Sequence, residues 1–92
     1  MRPDGTVPSA FAEQAEVVFA NLRACLEAHG LGMDSVVKLN AYLVAGHDVH
    51  AMREVRARYF GAHKPTSTAV FVPALVSAEL LLEVEAIAER KR

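Results

Sequence analysis

The sequence predicts an α+β domain, with two helices covering one face of a β-sheet in the order α-β-α-β-β. Three observations predict it. Apolar residues recur every three or four positions in two stretches and every second position in two others, with a β-branched run between them. Glycine, proline and helix-capping residues fall between these stretches. The chain has 92 residues, 52% apolar and 23% charged, the size and composition of one globular domain spanning residues 1–92.

The first seven residues, Met1 to Val7, read as a turn with Asp4-Gly5 at its tip. The first helix follows. Phe11, Ala15, Val18, Phe19, Leu22, Cys25 and Leu26 form one apolar stripe at helical spacing. Pro8 and Ser9 suit its start, with Ser9 as the cap, and Gly30 suits its end. Gln14, Glu16, Arg23 and Glu27 fall off the stripe and are expected to face water.

From Val36 to Val44 the period changes to two. Val37, Leu39, Ala41 and Leu43 share one face of a predicted strand; Val36, Lys38, Asn40, Tyr42 and Val44 share the other. Asp48 is the expected cap of a second helix with the stripe Val49, Met52, Val55, Tyr59 and Phe60, closed by Gly61. Pro65 ends that connection and Ser67 to Val72 reads as a second strand. Val76 to Leu80 reads as a turn. In the last strand Leu82, Val84, Ala86 and Ala88 oppose Leu81, Glu83, Glu85 and Ile87. A strand–helix–strand unit crosses over right-handed, so the first two strands are expected to be parallel.

Composition narrows the function classes. Ten Lys and Arg against eleven Asp and Glu give a net charge of -1, which draws the chain to neither nucleic acid nor an anionic membrane. The single cysteine, Cys25, allows no intramolecular disulfide and no Cys-based zinc site, and it is expected in the core. The longest apolar runs, Thr68–Val76 and Leu80–Leu82, are too short to span a bilayer, and the first residues lack a signal-peptide pattern. A soluble cytoplasmic protein without cofactor or metal is the expectation. One feature of the sheet resists a monomer. Its second face sets Leu81, Ile87, Val36 and Tyr42 beside Glu83, Glu85, Asn40 and Lys38, and three strands leave two open edges. Self-association through sheet faces would cover both.

Four stretches carry a resemblance over Pro3 to Ala88. They are Gln14 to Gly30 with its Asn21-Leu22 pair, Asp34-Ser35-Val36-Val37-Lys38 leading on to Leu43, Met52 to Tyr59-Phe60, and Glu83-Val84-Glu85-Ala86-Ile87-Ala88. Together they resemble the RidA family, also called YjgF/YER057c/UK114 and endoribonuclease L-PSP-like. The resemblance implies a chorismate-mutase-like fold and a homotrimer with ligand clefts between subunits. It also implies hydrolysis of reactive enamines and imines, such as 2-aminoacrylate, to 2-keto acids and ammonia. Other members carry a translation-inhibiting endoribonuclease label.

Two departures from the family pattern stand out. Typical members begin with a further strand pair ahead of the Pro-Asp-Gly segment, whereas here the chain opens on that segment; a shortened member and a start codon set too far downstream are both open. Active deaminases carry Pro-x-Arg-Ser where this chain has Pro65-Thr66-Ser67-Thr68, so Ser67 stands at the position of a carboxylate-binding arginine. The family's Asn in the second helix is Arg53 here, and a nearby Tyr is Arg56. Either could supply the missing cation; the plainer alternative is that Arg53, Arg56 and Arg58 are solvated helix residues.

By the resemblance, Glu83 is the cleft carboxylate, positioning or protonating the hydrolytic water and the enamine carbon; otherwise it is an interface carboxylate. Ser67 and Thr68, with Arg53, are the candidate substrate-binding residues, though hydroxyls at a strand start also satisfy turn amides. His47 and His50 have the spacing of a metal pair but no further ligand, and read as a surface loop. His29 and His63 are expected to cap carbonyls at helix ends, and Arg90-Lys91-Arg92 to form a frayed basic tail. The first reading is therefore an enamine/imine deaminase lineage, its activity lost, weakened or redirected at Ser67, with a small carboxylate or imine as ligand. A non-catalytic metabolite-binding trimer is the second, and a ribonuclease the third.

Overall fold

A computed structural model describes residue 2 and residues 4–90. Met1 and Pro3, and Lys91 and Arg92 of the basic tail, lie outside the described residues. Helix α1 spans Phe11–Ala28, strand β1 Val36–Val44, helix α2 Val49–Phe60, strand β2 Thr66–Val72 and strand β3 Leu82–Ala88, with a 3-10 turn at Met33–Ser35 before β1. The predicted order holds. The sheet runs β2-β1-β3, with β1 parallel to β2 and antiparallel to β3.

Both helices lie over one sheet face. Ala15, Phe19 and Leu26 from α1 and Met52, Val55 and Phe60 from α2 bury against Leu39, Ala41 and Leu43 of β1 and Leu82 of β3. Phe19 sits at the centre, with its ring against Tyr59 and edge-on to Phe60. Asp48 caps α2 as expected, its carboxylate accepting from the His50 amide at 2.8 Å, and Gly61 closes the helix at φ 59°. Strand β2 contributes no buried residue; Thr66 through Phe71 are exposed on both faces.

Several expectations are corrected. The α1 cap is Ala10, not Ser9, and no side chain caps that end. Cys25 is exposed; it lies at the margin of the stripe, where Leu22 and Leu26 already fill the contact. Val36 and Val37 exchange faces. Val36 pairs with Ala88 and Lys38 with Ile87, so Val37 is an extra residue in the ladder, and this bulge turns Val36 inward while leaving Val37 41% exposed. The Val36 carbonyl at the bulge accepts a hydrogen bond from His63 Nε2 at 2.7 Å. The His63 side chain therefore serves a strand, while its backbone amide donates to the Phe60 carbonyl at the end of α2 at 3.1 Å; a neutral ring must carry its proton on Nε2.

Gln14 is the largest departure. Instead of facing water it is buried, at 4% exposure, and its amide is used at both ends. Nε2 donates to the carbonyls of Pro8 (2.8 Å) and Glu79 (2.7 Å), and Oε1 accepts from the Leu81 amide (2.8 Å). One side chain thus fastens the N-terminal segment and the approach to β3 onto α1. Each bond contributes about 1 kcal/mol, and burial of the orphaned groups adds to the loss. Gln14→Leu is expected to lose about 3 kcal/mol in urea denaturation, whereas Cys25→Ser should stay within about 0.5 kcal/mol of the parent.

Candidate functional site

Strand pairing places the candidate residues. A row of side chains across the sheet shares one face, so the partners of buried β1 residues face the helices and the partners of Lys38, Asn40 and Tyr42 face the open side. Ser67 pairs with Leu39 and faces the helices, whereas Thr68 pairs with Asn40 and faces the open side. Glu83 pairs with Tyr42 and Glu85 with Asn40, so both glutamates share the open side with Thr68. The candidates from the Thr66–Thr68 segment and from β3 therefore do not converge in one cavity of a single chain.

The two glutamates differ in their surroundings. Glu85 Oε1 accepts from Tyr42 Oη at 2.7 Å and from Asn40 Nδ2 at 3.0 Å. These bonds, Tyr42 first and Asn40 second, hold its carboxyl below the ordinary glutamate value of 4.5. The same bond to Glu85 pushes the Tyr42 phenol above its ordinary value of 10.0. The Glu83 side chain has no hydrogen bond or ion pair among the described residues. It borders an apolar groove of about 340 Å³ that runs along the unpaired edge of β3, walled by Val18 and Leu22 of α1, Leu75 and Leu80 of the preceding loop, and Val84. Asn21 lines it as well.

A second cleft, of about 330 Å³, opens at the opposite edge of the sheet, between the end of α2 and the start of β2. Arg56 Nη1 donates to Ser67 Oγ at 3.0 Å across its mouth. Phe60, Ala57 and Pro65 give it apolar walls, and His63 and Lys64 add two more basic side chains. Among the described residues no carboxylate lines it. Arg53 is exposed on α2 and borders neither cavity. His47 stacks on Phe11 with ring centroids 5.1 Å apart. Among the described residues no three His, Cys, Asp or Glu side chains gather as a metal site. Two links, Tyr42 to Glu85 and Arg56 to Ser67, have no signal in the sequence. Each joins residues on different elements, and only the strand register and helix placement bring them together.

A family model described as endoribonuclease L-PSP matches residues 2–90. A RutC family protein of Pyrococcus horikoshii is 40% identical over 79 residues, 86% of this chain and 62% of that protein. Escherichia coli TdcF, provisionally named a reactive intermediate deaminase, is 30% identical over 89 residues, 94% of this chain and 68% of TdcF. Its crystal structure with bound serine superposes with a TM-score of 0.86 over 95% of this chain and 70% of that one. A Mycobacterium tuberculosis member of the YjgF/YER057c/UK114 family, 28% identical, superposes with a TM-score of 0.83 over 88% of this chain and 69% of that one. The helix-on-sheet arrangement is thus the fold of these proteins. The chain spans about three fifths of the length of the Pyrococcus relatives, 62% and 61%.

The Tyr42–Glu85 pair makes stability depend on pH at both ends. A lowered glutamate contributes above its ordinary value and loses that contribution as pH falls through the lowered one; a raised tyrosine contributes below pH 10.0 and loses it as pH rises further. Tyr42→Phe is expected to lower Tm at neutral pH, with the difference from the parent shrinking toward strong acid and toward strong base. A difference that stays constant from pH 2 to pH 11 would contradict this.

Proposed function

The chain belongs to the endoribonuclease L-PSP family, also known as the RidA or YjgF/YER057c/UK114 family, and from that membership we propose that it hydrolyses small reactive enamines or imines of the 2-aminoacrylate type. The observation that carries this reading is the contrast between the two glutamates. Glu85 is tied to Tyr42 and Asn40, whereas Glu83 is exposed and free of such partners at the rim of an apolar groove. A carboxylate committed to two donors is a poor proton carrier; an uncommitted one beside an apolar wall can accept and deliver a proton.

The chemistry requires little more. Protonation of the enamine's methylene carbon, by a proton from solvent, gives the iminium. Water then adds to the carbon bearing nitrogen, and the carbinolamine collapses to the 2-keto acid as ammonia leaves. In sum, 2-aminoacrylate and water give pyruvate and ammonia. Glu83 holds the water, takes its proton as it adds, and returns a proton to the departing nitrogen. TdcF, with its bound serine, supports a small amino-acid-like ligand for this lineage.

Glu83 lies on the open face of one edge strand, and Ser67 on the helix-covered face of the other. A site using both is completed between protomers, and the open face offers the surface, with Val70 and Ile87 exposed by 41% and 56%. A homotrimer closes such a ring of contacts. The alternative, a binding trimer without turnover, is favoured by the separation of the basic cleft from Glu83. The ribonuclease reading is disfavoured by its need for stacking platforms. Phe19, Tyr59 and Phe60 pack together, Phe11 stacks on His47 and Tyr42 is bonded to Glu85, which leaves Phe71, 55% exposed.

The test generates 2-aminoacrylate with a dehydratase acting on serine and follows pyruvate. Acceleration is expected, falling about 100-fold or more in Glu83→Gln and persisting in Glu85→Gln. Light scattering should give three times the 10.0 kDa chain mass. A folded trimer that leaves the rate unchanged would overturn the deaminase reading and favour the binder.

A further inference from the structure

The geometry points to Arg56 as the residue that binds a small carboxylate in this chain, with Ser67 as its positioning residue and the cleft between α2 and β2 as the site. This deepens the function proposed above, since a 2-keto acid or its enamine precursor is such a ligand, but the binding itself does not require turnover.

Four observations converge. Arg56 is half-buried, and the Ser67 hydroxyl fixes its guanidinium at the mouth of the cleft with one of five N–H donors, at 3.0 Å. Arg56 makes no ion pair among the described residues; the cations that do are Arg2, with Glu13, and Arg58, with Glu16. The lining holds two cationic side chains, Arg56 and Lys64, and among the described residues no acidic one, so the cleft carries uncompensated positive charge. Its walls at Phe60, Ala57 and Pro65 are apolar, and a volume of about 330 Å³ suits a molecule of few carbons. A guanidinium held by one of its donors, with the others left to bond an anion, suits the planar two-oxygen geometry of a carboxylate. The short apolar remainder of the ligand lies on Phe60 and Pro65.

The two arginines of α2 that could serve are separated by this geometry. Arg56 reaches β2, and Arg53, three residues earlier, is exposed and borders neither cavity. A small residue at position 67 is part of the arrangement, since its short side chain accepts the guanidinium without filling the mouth of the cleft.

Titration calorimetry with pyruvate, and with methyl pyruvate as the neutral isostere, tests the assignment. Pyruvate is expected to bind and methyl pyruvate to bind at least tenfold more weakly. Arg56→Met, which keeps most of the apolar stem, is expected to weaken pyruvate about 10- to 100-fold. Arg53→Met should leave it unchanged, and Ser67→Ala should weaken it severalfold by releasing the guanidinium. The exchange Arg56→Ser with Ser67→Arg moves the cation from helix to strand and is expected to restore most of the affinity. Equal pyruvate affinity in the parent and a folded Arg56→Met overturns the assignment, as does loss of affinity in Arg53→Met alone; should Arg56→Met not fold, Arg56→Lys replaces it, with weakened pyruvate binding expected and unchanged binding overturning the assignment. No pyruvate binding by the parent also overturns it. The deaminase reading stands or falls separately, on Glu83→Gln turnover.

Discussion

Strand β1 is hydrogen-bonded along both of its edges, and the alternation of its side chains decides where every candidate residue of the sheet points. Leu39, Ala41 and Leu43 take the helix side and carry the core. Through the ladders they commit Ser67 to that side, while Asn40 and Tyr42 commit Thr68, Glu83 and Glu85 to the other. A slip of one residue on either flank would exchange these assignments. The bulge at Val37 and the His63 bond to the Val36 carbonyl lie at the end of β1 where such a slip would begin.

Much of this was legible from the residues. Stripes at three-four spacing located α1 and α2, Asp48 and Gly61 bounded α2, and period two located β1 and β3. What failed did so for definable reasons. The bulge breaks alternation without any glycine or proline to announce it, so strict period two puts Val36 and Val37 on the wrong faces. Gln14 sits off the apolar stripe and is nonetheless buried, because two distant segments bring it three partners. Hydrophobic periodicity cannot register a polar side chain that is buried by virtue of its hydrogen bonds. Cys25 is the converse, a residue of apolar type at the stripe's margin with nothing above it.

The site was legible by type and not by arrangement. Glu83 was set apart from Glu85 only by resemblance; the physical distinction is that Tyr42 and Asn40 both reach Glu85. That depends on which residue of β3 lies opposite which residue of β1, and a single sequence does not specify register. Arg53 and Arg56 were equivalent as letters. One turn of helix separates a side chain that reaches the neighbouring strand from one that does not.

Strand β2 joins the sheet along β1 alone and adds nothing to the core. Its seven residues are therefore held mainly by one ladder of amide hydrogen bonds, with little apolar burial to make their release cooperative with the rest. In a lone protomer this segment is the natural unit of partial opening, detaching while both helices and the β1–β3 pair remain intact. Ser67 travels with it, so the hydroxyl that seats Arg56 belongs to the least secured part of the sheet. Any contact that covers β2 would then act as a latch, coupling assembly to the order of the ligand cleft with no change elsewhere in the fold.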